Sequence, residues 1–231
     1  MSTNPHLGIP VQSSGPAPET AGLVAVLIHG RTQSSSDMLA VASRLNLAGM
    51  PCIALDAADN SWYPNQFMEP VANNQPRLDF ALERLDQLLS DLNERGIPNE
   101  HIAIVGFSQG ACLACEYVFR KKQPFAALVA YTGGLIGSEG TQWETIGRLK
   151  GMPIFLSNGD QDPWVPLDRT RQTLEVFNAM GAQAELKVYP GRGHEVSDDE
   201  IMISRTLLQG AMRLATKQPG STQSPDRIPW P

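Results

Sequence analysis

Six short apolar runs alternate with stretches of helical spacing, and this alternation constrains the chain more than any other feature. The runs are Leu23–His29, Cys52–Leu55, His101–Val105, Phe125–Tyr131, Pro153–Ser157 and Ala184–Tyr189. Leu23 to Ile28 is apolar without interruption, which suits a strand buried on both faces of a parallel sheet. Between the runs, the spacing predicts helices over Ser36–Leu47, Pro76–Arg95, Ala111–Arg120 and Leu167–Met180, with a last helix starting at Ser197. The clearest is the second, where Leu78, Ala81, Leu82, Leu85, Leu88, Leu89 and Leu92 form one stripe of period 3.6 before Gly96 and Pro98. Ser197 with Glu200 three residues on reads as a capping box. The order β-α-β-α-β-α-β-β-α-β-α builds a mostly parallel central sheet with helices on both faces. In such sheets functional groups lie past the carboxyl ends of the strands.

Length and composition narrow the class. With 231 residues, 42% hydrophobic and 18% charged, the chain has enough apolar content for one large domain. A formal net charge of −6 argues against a general nucleic-acid or anionic-membrane binder. Residues 1–20 and 217–231 are polar and Pro-rich and are expected to be flexible tails around a domain at 21–216. The first twenty residues lack the basic and apolar regions of a signal peptide, and no apolar run could span a bilayer. Cys52, Cys112 and Cys115 are odd in number and suit a reducing, cytoplasmic compartment. Cys112 and Cys115 stand one turn apart in a predicted buried helix, so they read as core residues and not as a redox or metal pair.

The chemistry concentrates after the third run. Gly106-Phe107-Ser108-Gln109-Gly110 follows a predicted strand and opens a predicted helix. A serine on such a sharp turn projects its hydroxyl above the sheet, and flanking glycines let backbone approach where a Cβ would clash. A serine hydroxyl needs a base within reach and an acid to orient that base, here expected downstream as Asp/Glu and then His. Of His6, His29, His101 and His194, only His194 lies downstream, in the Gly191–His194 turn after the last strand. His101 falls at the wrong end of the sheet, and His29 is read as structural. Asp160 and Asp162 both follow the Pro153–Ser157 strand. Asp162 is taken as the acid, because it is far enough along to turn back toward His194, and Asp160 as a brace of its own turn. The charge developing on a tetrahedral intermediate calls for two backbone N–H donors, assigned to Gln109 and Arg31.

With these segments in place the chain resembles the phospholipase/carboxylesterase branch of the α/β-hydrolases, which includes acyl-protein thioesterases and bacterial carboxylesterases. The matching residues are His29-Gly30, Ser61-Trp62, Gly96-Ile97-Pro98, Gly106 to Gly110, Gly159 to Pro166 and Gly193-His194. The resemblance implies Ser108, Asp162 and His194 as catalytic residues, Arg31 and Gln109 as the oxyanion hole, no metal or other cofactor, and a homodimer as one assembly. Where acyl-protein thioesterases tend to read His-Gly-Leu-Gly-Asp, this chain has His29-Gly30-Arg31-Thr32-Gln33. Where they tend to read Trp-Phe-Asp it has Trp62-Tyr63-Pro64, which brings it closer to the bacterial carboxylesterases.

The expected activity is hydrolysis of small to medium carboxylic esters through an acyl-enzyme, with a small-molecule ester as partner and no stable membrane insertion. Trp62, Tyr63, Phe67 and Trp164 are expected to line the substrate pocket. The loop 57–75 carries most of these aromatics, and the glycine-rich segment 132–147 reads equally as a flap or as an ordinary connection. The alternatives are a long-chain acyl thioesterase or lysophospholipase, and a non-catalytic binding protein on the same scaffold.

Overall fold

The computed structural model describes residues 3–217. Seven strands form one sheet: β1 (Gln12–Ser14), β2 (Val24–Ile28), β3 (Cys52–Leu55), β4 (Ile102–Phe107), β5 (Ala127–Tyr131), β6 (Pro153–Gly159) and β7 (Gln183–Tyr189). Their order is β1-β3-β2-β4-β5-β6-β7, and only the β1–β3 pairing is antiparallel. Five helices accompany them: α1 (Ser35–Leu45), α2 (Arg77–Glu94), α3 (Gln109–Lys121), α4 (Leu167–Ala179) and α5 (Asp198–Lys217).

The uninterrupted apolar character of β2 has the expected cause. Val24, Val26 and Ile28 enter one core with α2, α3 and Phe177 of α4, while Leu23, Ala25 and Leu27 enter a second core with α1 and α5. Alternate side chains are thus buried on opposite faces. The leucine stripe of α2 is buried along its length, from Leu78 to Leu92. β7 alternates between exposed and half-buried residues, as befits the edge it forms.

One expectation is overturned at the amino-terminal end. Residues 3–20 are not a tail without structure. Asn4 and His6 are buried, and β1 pairs with β3 in the register Gln12↔Ala54 to Ser14↔Cys52. Asn4 donates to the Phe80 carbonyl at 2.9 Å and to Glu83 at 2.8 Å, and Arg84 donates to the Ile9 carbonyl at 2.9 Å. The segment docks through a few specific polar contacts and backbone pairing, which leave no apolar periodicity to read. The predicted tail at 217–231 lies, from residue 218 on, outside the described residues.

His6 reaches the back of the 57–63 loop. Its Nδ1 accepts from the Ala58 N–H at 3.1 Å, so Nε2 carries the proton toward the Trp62 carbonyl at 3.2 Å. Burial, then the Arg77 charge, push the imidazole down to about 4. The folded chain therefore refuses a proton that the unfolded chain binds below about pH 6.5. Stability from His6 is complete above that pH and is lost as pH falls toward about 4. We expect Tm to fall between pH 7 and pH 5. In His6→Asn the pH 7 value should be lower and the drop between the two pH values smaller. An unchanged drop, followed by circular dichroism, would remove His6 from this account.

Candidate active site

All the residues singled out as chemical candidates reach the carboxyl end of the sheet. Ser108 stands between β4 and α3 with φ 54° and ψ −120°, a backbone conformation that L-residues rarely adopt. The turn is held by the Ser108 N–H on the Tyr131 carbonyl at 3.0 Å and by the Cys112 N–H on the Ser108 carbonyl at 2.9 Å. The flanking glycines are required by close approach. A Cβ on Gly106 would meet the Gly110 carbonyl at 2.5 Å, and one on Gly110 would collide with the carbonyls of Ile28 and His29.

His194 and Asp162 complete a hydrogen-bonded chain. His194 Nε2 lies 2.8 Å from Ser108 Oγ, and Nδ1 lies 2.7 Å from Asp162 Oδ2. The Phe107 ring leans on the imidazole at 5.1 Å. The Asp162 side chain is fully buried, and its Oδ1 accepts the N–H groups of Trp164 at 2.9 Å and Val165 at 3.0 Å. Burial pushes this carboxyl up, but the hydrogen bonds from His194, Trp164 and Val165 outweigh it and leave the group below the usual carboxylate range. An ionised, oriented carboxylate holds Nδ1–H and leaves Nε2 free to accept the serine proton. Asp160 has a different job from the one expected: it accepts the Gly191 N–H at 2.7 Å and so braces the turn that carries His194.

Two backbone amides stand ready near the serine. In the loop after β2, the Thr32 N–H is taken by the Asn60 carbonyl, the Gln33 N–H by the Gly30 carbonyl and the Gly30 N–H by Gln33 Oε1. Among the described residues the Arg31 N–H has no acceptor. Gln109 opens α3, so its N–H also precedes the intrahelical ladder. Both amides can serve a developing oxyanion.

Side chains in these positions do work that the sequence reading missed. Gln109 Oε1 accepts the Trp62 N–H at 2.9 Å, and its Nε2 donates to the Tyr63 carbonyl at 2.8 Å. The Arg31 guanidinium donates to the carbonyls of Tyr63, Pro64 and Asn65 at 2.7–2.9 Å. Arg169 does the same for Leu135, Gly137 and Ser138, while the Gly137 N–H binds the Phe67 carbonyl at 2.9 Å. The loops around 57–75 and 132–147 are thereby tied down and to each other. A guanidinium bound to main-chain carbonyls from a distant element leaves no local motif.

A cleft of about 1090 Å³ opens over Ser108 and His194. Tyr63, Phe67 and Trp164 line it, and Cys112 adds to the wall. Trp164 is 66% exposed at the mouth. Trp62 is a correction. It is fully buried and does not line the cleft; its Nε1 donates to the His29 carbonyl at 2.8 Å, and its ring packs between His6 and His29. It supports the loop bearing Arg31 from behind. His29 is structural: its Nε2 accepts the Ala57 N–H at 3.0 Å, and its Nδ1 faces the Gly30 carbonyl at 2.6 Å. Cys115 is buried core. Among the described residues no cluster of His, Cys, Asp or Glu could hold a metal ion, and no helix is long and apolar enough to cross a membrane.

A mostly parallel sheet carrying a serine on a strand-to-helix turn, with the acid after β6 and the histidine after β7, is the architecture of the α/β-hydrolases. Residues 50–211 match the phospholipase/carboxylesterase family, and the chain belongs to that family. A phospholipase/carboxylesterase from Dyadobacter fermentans DSM 18053 superimposes with a TM-score of 0.81 at 39% identity, over 86% of this chain and 95% of that one. A probable carboxylesterase, SOBER1-like, from Arabidopsis thaliana is 27% identical over 118 residues, covering 51% of this chain and 45% of that protein. An acyl-protein thioesterase 1 from Neurospora crassa is 31% identical over 111 residues, covering 47% and 45%. The chain thus spans about half the length of these curated relatives.

Proposed function

We propose that this chain is a serine carboxylesterase that hydrolyses small to medium carboxylic esters through an acyl-enzyme on Ser108. The observation that carries the reading is the continuous hydrogen-bonded chain Asp162–His194–Ser108 beneath the cleft. In this reading Ser108 Oγ attacks the ester carbonyl while His194 Nε2 takes its proton. The amides of Arg31 and Gln109 receive the oxyanion. His194 then protonates the departing alcohol, and Asp162 stabilises the imidazolium. Water enters and releases the acid by the same route.

Tyr63, Phe67, Cys112 and Trp164 are the proposed substrate contacts. The wall at 63–65 is tied to Arg31, and Tyr63 and Cys112 are themselves almost fully buried, which favours a compact acyl group over a long fatty chain. The names of the relatives, a carboxylesterase and an acyl-protein thioesterase, support ester-type acyl transfer in general. The proposed compartment is the cytoplasm, consistent with three free and buried cysteines. A homodimer is the proposed assembly, on the family likeness alone.

The test is a ladder of p-nitrophenyl esters from acetate to palmitate. The expected optimum is at short to medium acyl length, with activity falling steeply toward palmitate. A long-chain optimum would replace this reading with the thioesterase or lysophospholipase one. No turnover of any ester would favour a binding protein on a hydrolase scaffold.

A further inference from the structure

His194 sits on a turn that Asp160 braces at Gly191, two residues before Gly193. Gly193 precedes it, and Arg192 is the nearest residue upstream with a side chain. That side chain points inward and is 9% exposed, and it pairs with Glu200 of α5, whose side chain is 0% exposed. The guanidinium also lies 4.4 Å over the Tyr189 ring, and the Tyr189 hydroxyl donates to Asp199 at 2.8 Å.

The same Glu200 oxygen that accepts from Arg192 also accepts the Ser197 N–H at 2.6 Å and the Ser197 hydroxyl at 2.8 Å. Arg192 lies two residues before His194, and Ser197 three residues after it. Both ends of the histidine segment therefore converge on one carboxylate oxygen. The backbone of Arg192 is engaged too, since its carbonyl accepts the Gln161 N–H at 3.1 Å from the acid loop. Gly159 is required there, because any Cβ would collide with that carbonyl.

As a source of stability this arrangement is poor. Arg192 Nε and Nη2 and Glu200 Oε1 are buried without a partner among the described residues. A buried ion pair with incomplete partnering is often no more stable than an apolar pair of similar volume. What it does supply is fixed geometry, because a planar guanidinium stacked on a ring and bound to a carboxylate admits few orientations.

We propose that the buried pair of Arg192 with Glu200 sets the position of His194 over Ser108, which makes both of them positioning residues for the reaction. The proposal rests on the hydrolase reading of Ser108 and His194.

The test compares Arg192→Met, Glu200→Gln, Arg192→Lys and the double variant Arg192→Met/Glu200→Met with wild type. Four readouts are followed: Tm, kcat per active site counted from the acyl burst, KM for p-nitrophenyl butyrate, and the rate at which diethyl p-nitrophenyl phosphate labels Ser108. In Arg192→Met, kcat and the labelling rate should fall together by about ten- to a hundredfold, the scale of a misplacement of about 1 Å, with KM changed by no more than about twofold. Glu200→Gln should show the same split to a smaller degree. Arg192→Lys should recover part of kcat. The double variant should keep a Tm within a few degrees of wild type, yet retain the low kcat.

Restored kcat in the double variant would overturn the proposal, because the pair would then act only through stability. So would an unchanged kcat per site in Arg192→Met. A wild type that the phosphate ester does not label, with Ser108→Ala as active as wild type, would overturn the hydrolase reading and this proposal with it. A labelled wild type with an unaffected Arg192→Met would overturn this proposal alone.

Discussion

Ser108→Ala should lower kcat for p-nitrophenyl butyrate by about a hundred-thousandfold or more, the scale seen when a serine nucleophile is removed from a working Ser–His–Asp unit. KM should change little, since the hydroxyl supplies no more than a small part of the binding surface. The same substitution should abolish labelling by diethyl p-nitrophenyl phosphate, because among the described residues no other hydroxyl lies against His194 Nε2. Activity within about tenfold of wild type would end the proposed mechanism. Ser108→Gly gives a companion measurement. It loses the same chemistry, but glycine tolerates the φ of 54° without steric cost. Relief of strain of this kind is worth about 1–3 kcal/mol, so this inactive variant should melt above Ser108→Ala.

Asp162→Asn should cost about ten-thousandfold in kcat while leaving the fold in place. The amide oxygen can keep the N–H groups of Trp164 and Val165, which now bind Oδ1. The amide nitrogen then falls in the place of Oδ2, where it donates and cannot accept. His194 must turn its Nδ1 lone pair toward it and carry its proton on Nε2, the atom that should receive the serine proton. Asp160→Asn offers the contrast. Among the described residues its carboxylate accepts only the exposed Gly191 N–H, so a loss of a few-fold at most is expected. Equal losses in the two variants, read from steady-state kinetics, would show that the wrong carboxylate carries the role.

These residues were legible because each obeys a rule with a short reach. β2 to β6 announce themselves through runs buried on two faces, and α2 through its leucine stripe. Ser108 lies on a local pattern, and Asp162 and His194 follow from strand order. What was not legible acts over long separations or without a side-chain pattern. β1 is three polar residues held by backbone pairing, so nothing in its composition marks it as a strand. His6 and Asn4 are buried by elements more than fifty positions away. Trp62 misled because an aromatic in a loop at the active end looks the same whether it walls a cleft or props up the loop in front. Glu200 was recognised for its cap on α5, but the arginine sharing that carboxylate comes from another element.

Arg31 holds its stretch of the cleft wall by main-chain oxygens alone, and the side chains at 63–65 take no part in the grip. The contour of the wall is therefore uncoupled from its chemistry. Pro64 can be exchanged for larger, smaller or charged residues while the strut keeps its hold, whereas the Asn65 side chain also donates to the Asn73 carbonyl at 2.6 Å, so a library aimed at new substrates would start at position 64. Position 31 is the reverse case. One exchange there frees three carbonyls at once, so a loop grafted here without an arginine at position 31 needs its support supplied from elsewhere.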